Sequence, residues 1–227
     1  MLRHYTWIAF RNLLNNKVFS TINILGLAVG MSIAILIGLW VWDEISFNHY
    51  FKNHASLGEV ASIETFNGVT STEEFSSVPI AAALRNNYPE EIKQAALIKE
   101  FNAGLVVGEN KMNASGYWAE SEFPGMLTLR LKNGSFKKFI DPYSILISES
   151  LAQTLFGKLE PVGKVISFNN EFQLKVSGVY PDFPSNTDFR DVEFLAAWNN
   201  KNNIGNRLGD DWNDHHFYRY PNCLVFT

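Results

Sequence analysis

The chain has 227 residues, 46% hydrophobic, 14% aromatic and 19% charged, with a net charge of −4. That much apolar material excludes a disordered polymer or a collagen-like fibre, and the acidic balance excludes a nucleic-acid binder working through a basic stripe. A single cysteine, Cys223, excludes an intrachain disulfide framework and a cysteine-rich zinc site.

Residues 1–17 read as an amphipathic helix in the cytoplasmic interface. Trp7, Phe10 and Leu14 share a face, with Arg3, Arg11 and Lys17 placed for lipid headgroups. An ordinary cytoplasmic flank is the plainer reading of the same residues. From Val18 to Trp42, 25 residues pass without one Asp, Glu, Lys, Arg or His. A helix of that length spans about 37 Å, more than the roughly 30 Å hydrocarbon core of a bilayer. The composition therefore predicts a transmembrane helix over 18–42. The run is too long for a signal peptide and ends in Leu39-Trp40-Val41-Trp42, bulky residues suited to an interfacial belt rather than to cleavage.

Charge orients the span. Arg3, Arg11 and Lys17 precede it without an acidic residue, and Asp43 and Glu44 follow directly, so the N-terminus is expected in the cytoplasm and residues 43–227 outside the inner membrane. That outer part holds 16 Lys and Arg against 23 Asp and Glu, a net −7. Within the span Gly26, Gly30, Ala34 and Gly38 recur every fourth residue. Small side chains at that spacing let another helix approach closely in lipid, although glycine and alanine are common in membrane helices anyway.

Residues 43–56 are expected to form a stalk, with the helix continuing through Ser46–Asn53, ahead of an outer domain over 57–227. In that domain the patterns predict strands over 57–66, 92–107, 112–119, 128–131, 143–147, 165–168, 172–180 and 216–226. They predict short helices over 79–87, with Ile80, Ala83 and Leu84 inward, over 123–127 and over 149–156. Gly108-Glu109-Asn110, Asn133-Gly134 and Asn169-Asn170 read as turns. Ser148 is placed to cap the helix that Gly157 ends. Pro161–Lys164 turns the chain, and Pro181 and Pro184 break it. The fold class is α+β, a membrane helix followed by a mixed or antiparallel sheet with short helices.

Catalytic machinery is not found, and an enzyme is not expected. Five residues rather than four separate Gly157 from Gly163, and Val165 stands where a phosphate-binding loop needs Ser or Thr. No dinucleotide fingerprint or nucleophile elbow occurs. Asp210, Asp211, Asp214, His215 and His216 offer metal-ligand chemistry, but neighbouring histidines on a strand point to opposite faces, so a solvated acidic loop is expected. Glu73-Glu74 and Glu90-Glu91 read as solvated pairs. Tyr117, Trp118, Trp198, Trp212, Phe217 and Tyr218 could line a pocket, though such residues more often fill a core.

Two ordered blocks carry a resemblance. The first is Arg11-Asn12-Leu13-Leu14, Lys17, Phe19-Ser20, Ile22–Ala28 and Gly30, then Asp43–Phe47. The second is Ser148–Ala152, Leu155-Phe156-Gly157 and Pro161–Lys164, then Val176–Tyr180 and Asp182–Asn186. Together they resemble the N-terminal part of MacB/FtsX-type ABC transporter permeases. The resemblance implies a first membrane helix, a MacB-like periplasmic core domain, an ABC ATPase partner that binds the ATP, further permease helices and a second permease copy in a homodimer. It implies that ATP hydrolysis moves the outer domain, for export of peptides or drugs or for lipoprotein extraction. In this frame Gly26, Gly30, Ala34 and Gly38 pack the membrane helix, and Asp43 and Glu44 mark the junction with the outer domain. Gly157, Pro161, Gly163, Lys164, Gly178, Pro184 and Asn186 shape structural turns. No cofactor of its own, and no nucleic-acid partner, is expected. The chain stops at Thr227 without a second apolar span, which the resemblance reads as a truncated permease. The alternative is a membrane-tethered binding or sensor module.

Overall fold

The computed structural model describes residues 7, 11, 15–73, 76–199 and 222–227. The chain divides into two units, Met1–Phe47 and Asn48–Thr227.

In the first unit, helix α1 runs from Lys17 to Ile45, 29 residues long and apolar enough to cross a membrane. It contains the whole predicted span. It also corrects the expected stalk helix: α1 stops at Ile45, and Asn48 adopts φ +60°. That left-handed backbone, which asparagine tolerates better than most residues, cannot be accommodated within a right-handed helix. Residues 46–53 are turns instead.

The second unit is built on a mixed sheet. Its strands are β1 (Leu57–Val60), β2 (Ser62–Phe66), β3 (Val69–Glu73), β4 (Gln94–Val107), β5 (Asn110–Ala119) and β6 (Asn133–Gly134). There follow β7 (Ser144–Ser148), β8 (Val165–Phe168), β9 (Phe172–Tyr180), β10 (Phe194–Ala197) and β11 (Asn222–Phe226). The helices are α2 (Ile80–Asn87), α3 (Phe123–Met126) and α4 (Glu149–Phe156). The main sheet runs β1-β11-β4-β5-β10-β7-β9-β6, while β2 and β3 form a separate hairpin. Strand β8 pairs with both β9 and β4. The circuit β4-β5-β10-β7-β9-β8 is therefore closed by hydrogen bonds. Pairs β5/β10 and β7/β9 are parallel, and every other pair in the circuit is antiparallel.

Alternation along the strands sorts side chains onto two faces. One face carries Leu105, Trp118, Ile147, Phe168, Leu174 and Phe194, joined by Leu151, Leu155 and Phe156 of α4. The opposite face carries Ala96, Ile98, Ala119, Leu146 and Leu195, joined by Phe123 and Met126 of α3 and by Phe51. Strand β9 keeps its apolar residues on the first face only by a bulge. Ile145 pairs with Val176 and Leu146 with Gly178, leaving Ser177 as the extra residue, whose hydroxyl donates to the Ile145 carbonyl at 3.1 Å.

Several local expectations hold in detail. Gly108-Glu109 makes a two-residue hairpin turn with Gly108 at φ +60°. The Ser148 side chain accepts from the Leu151 amide at 3.2 Å, and Gly157 ends α4 at φ +60°. Asn169 and Asn170 take φ +52° and +56° between β8 and β9. In α2, Ile80 and Leu84 pack against the core as expected, but the buried alanine is Ala81 rather than Ala83, which is half-buried.

Others are corrected. Residues 128–131 form no strand, because Thr128 sits at φ +50° in the tight turn that closes α3. Asn133-Gly134 is not a turn but the short edge strand β6, paired with Gly178 and Val179. The 57–66 stretch breaks into β1 and β2, which join different sheets. Of 216–226, the described part is strand over Asn222–Phe226.

Candidate functional site

Residues 48–53 are seated in the second unit at a joint whose parts lie far apart in the sequence. The Asn48 amide donates to the Asn186 carbonyl at 2.9 Å. The Asn48 side chain then pairs with Asp188 in both directions: its Nδ2 donates to Asp188 Oδ2 at 2.7 Å, and its Oδ1 accepts from the Asp188 amide at 3.0 Å. Two further bonds fasten the segment to the turn after α3. The Lys52 amide donates to Thr128 Oγ1 at 3.3 Å, and Asn53 Nδ2 donates to the Met126 carbonyl at 3.4 Å.

An aromatic cluster lies beneath these bonds. Phe51 is 1% exposed, with Phe183 and Phe189 edge-on at 5.6 Å each. Phe189 also meets Phe123 at 5.5 Å and Tyr117 at 6.1 Å. Burying one such ring contributes on the order of 2–3 kcal/mol, and edge-on pairs add about 0.5–1.5 kcal/mol. Residues 48–53 are therefore a packed part of the domain.

The corner over 181–189 is itself held from two sides. Asp182 accepts from the Ser150 amide at 3.2 Å and from its hydroxyl at 2.8 Å, tying the corner to the first turn of α4. Buried Tyr180 donates its hydroxyl to the Val192 carbonyl at 3.1 Å. Burial, with Asp182 and Glu193 nearby, pushes that phenol well above its ordinary range. Thr187 Oγ1 donates to the Pro184 carbonyl at 2.9 Å.

Of the residues singled out in the sequence, Gly178, Pro184 and Asn186 belong to this corner and its approach. A Cβ at Gly178 would stand 2.8 Å from Leu131 Cδ1 and 3.0 Å from the Asn133 carbonyl oxygen, so a larger residue between β6 and β7 would require Leu131 to move and β6 to give slightly. Gly157, which ends α4, and Pro161, Gly163 and Lys164 lie apart from the corner, linked to it through α4 and along β9. Gly163, at φ +84°, donates to the Val176 carbonyl at 2.8 Å, and the Val176 amide returns a bond to the Lys164 carbonyl at 2.8 Å. Asp43 and Glu44 lie exposed in the last turn of α1. The helix dipole disfavours carboxylates there, so their position answers to something other than helix stability. Gly26, Gly30 and Gly38 have nothing within 4 Å of an added Cβ, and Ala34 is exposed among the described residues.

Asn48, Phe51, Asp188 and Phe189 escaped sequence reasoning. The one available signal was two phenylalanines, Phe183 and Phe189, in a segment otherwise rich in breakers and polar residues. Trp118 and Trp198 are buried core residues, whereas Tyr117 is half-buried on the joint's face of the sheet. Glu90 and Glu91 are exposed. Asp210, Asp211, Trp212, Asp214, His215, His216, Phe217 and Tyr218 lie outside the described residues. Among the described residues no three His, Cys, Asp or Glu side chains are grouped to hold a metal ion.

Comparison with known proteins bears on this geometry. The family profile of the MacB-like periplasmic core domain matches residues 20–214, a range that takes in most of α1, the joint and most of the sheet. No curated protein sequence matches the chain. Three solved structures share the fold. A domain of an assigned permease protein from Porphyromonas gingivalis superposes with a TM-score of 0.63 at 20% identity, over 78% of this chain and 75% of that one. The extracellular domain of the ABC-type transporter YknZ from Gram-positive bacteria gives 0.51 at 18%, over 75% and 81%. The periplasmic region of MacB from Actinobacillus actinomycetemcomitans gives 0.50 at 18%, over 67% of this chain and 65% of that one.

Proposed function

The chain belongs to the MacB-like periplasmic core domain family, and on that premise we propose that it is a membrane subunit of an ABC transporter. In this reading α1 anchors the subunit with its N-terminus in the cytoplasm, and residues from Asn48 onward form the extracytoplasmic domain. A partner ATPase binds and hydrolyses ATP on the cytoplasmic side, and this chain performs no catalytic step. Gly26, Gly30, Ala34 and Gly38 pack α1 against further permease helices or a second copy.

The observation that carries the reading is the joint. Asn48, the first residue of the second unit, is held there by three hydrogen bonds at 2.7–3.0 Å. Phe51 is sunk among aromatic rings three positions later. Movement of the chain at Asn48 therefore passes directly into the corner, and from the corner through Asp182 into α4 and through β9 into the sheet. That packing within the domain suits a machine driving export of peptides or drugs, or lipoprotein extraction, by displacing an outer domain.

The test is affinity purification of the tagged chain from detergent-solubilised native membranes, with partners identified by mass spectrometry. An ABC ATPase should co-purify, and changing Gly30 and Ala34 together to Leu should abolish its recovery if α1 packs through that face. Recovery of the chain without an ATPase would contradict the transporter reading.

A further inference from the structure

Beside the joint, on the same face of the sheet, lies a cleft of about 220 Å³. Its floor is apolar and buried, formed by Ile98 and Leu127. Its aromatic walls are Tyr117 and Phe189, both half-buried, whose rings meet edge-to-face at 6.1 Å and 71°. Its rim carries two exposed carboxylates, Glu59 from β1 and Asp188 from the corner. No Lys or Arg lines it among the described residues. Glu59 accepts one hydrogen bond, from Asn222 Nδ2, and Asp188 accepts one from Asn48 Nδ2. Each bond engages a single oxygen and leaves the carboxylate charge in place.

These parts are complementary to one kind of occupant. Two aromatic faces at an angle attract a cation through their quadrupoles, and do so more strongly where the site is partly desolvated. Carboxylates at the rim add Coulomb attraction, while a buried apolar floor rewards a hydrocarbon body. The local field has the required sign. The Tyr117 hydroxyl is pushed up to about 12 by burial and by the carboxylates of Glu100, Glu59 and Asp188. The net −7 of residues 43–227 would draw cations towards the domain as a whole. We propose that this cleft binds a small organic cation, a substituted ammonium carrying an apolar group, with the charge between Glu59 and Asp188 and the apolar group on Ile98 and Leu127.

The cleft shares Asp188 and Phe189 with the joint, so an occupant would contact the element through which movement enters the domain. Its existence does not depend on an ATPase partner, and its test needs none. The full chain is placed in nanodiscs of zwitterionic phosphatidylcholine and titrated calorimetrically with benzyltrimethylammonium, with empty nanodiscs as blank. The anion 3-phenylpropionate, of similar size, is the comparator. The expected result is saturable one-site binding of the cation with a Kd of about 1 mM or tighter, and none of the anion. Glu59→Gln, which keeps an oxygen to accept from Asn222, should weaken binding by about three- to tenfold with an unchanged melting temperature. Tyr117→Leu should weaken it at least as much, and if that variant misfolds the Glu59→Gln result decides. Three results would overturn the proposal: no saturable binding up to about 10 mM, equal binding of the anion, or an unaltered affinity in Glu59→Gln.

Discussion

Cys223 illustrates how much a single residue depends on its surroundings. In the sequence it is simply the one thiol. In the fold it is completely buried on β11, paired with Leu97 of β4, and burial pushes its pKa up to about 12 from an ordinary 9.0. The folded chain therefore keeps the proton that the unfolded chain surrenders above about pH 9, so the stability it confers is present below that pH and lost as pH rises towards 12. Thermal unfolding of the full chain in detergent should show a midpoint that falls above pH 9. Cys223→Ala should flatten that fall between pH 9 and 10, before the phenols of half-buried Tyr117 and buried Tyr180 contribute. An alkaline limb of unchanged steepness in the variant would show that the thiol is not its cause. Glycine roles were partly legible at this scale. The left-handed backbone at Gly157 and Gly163 follows from turn chemistry, whereas the tight packing around Gly178 depends on β6, which is distant in sequence.

Among the elements, those with a strong local signature were legible and those specified by tertiary pairing were not. Helix α4 announces itself through Ser148, its apolar spacing and Gly157, and the β4–β5 hairpin through Gly108. Strand β10 was missed altogether. It has only four residues, Phe194–Ala197, all buried, so neither alternation nor length marks it. It nevertheless lies between β5 and β7 and completes the closed circuit. The expected stalk helix only prolonged the membrane helix: residues 46–53 are mostly weak helix formers, and Asn48 is held by a partner 140 positions away. The joint makes a testable claim at this scale. Asn48→Gly preserves the positive φ while deleting the side chain, and Asp188→Ala deletes its partner. Each should cost about 1 kcal/mol, and a double-mutant cycle on the full chain should return a coupling of about 0.5–1.5 kcal/mol. Strict additivity would mean that the two side chains do not act as a unit.

At the scale of the whole molecule, the membrane helix and the α+β character were legible from composition and periodicity, because both depend on bulk apolar patterning. The family was legible because two motif blocks stand in order along the chain. What the motifs do was not legible: the Asp182–Asn186 block matters by receiving Asn48 and by anchoring to Ser150, contacts no spacing rule reveals. The central claim is that ATP on the cytoplasmic side changes the outer domain through this joint. Hydrogen–deuterium exchange on the complex purified with its ATPase, with and without ATP and vanadate, tests it most directly. The account predicts that exchange changes on nucleotide binding over 46–53 and 181–189 and spreads into α4 and β9, and that the spread is lost in the Asn48→Gly, Asp188→Ala double variant. An outer domain whose exchange is identical with and without nucleotide would contradict it.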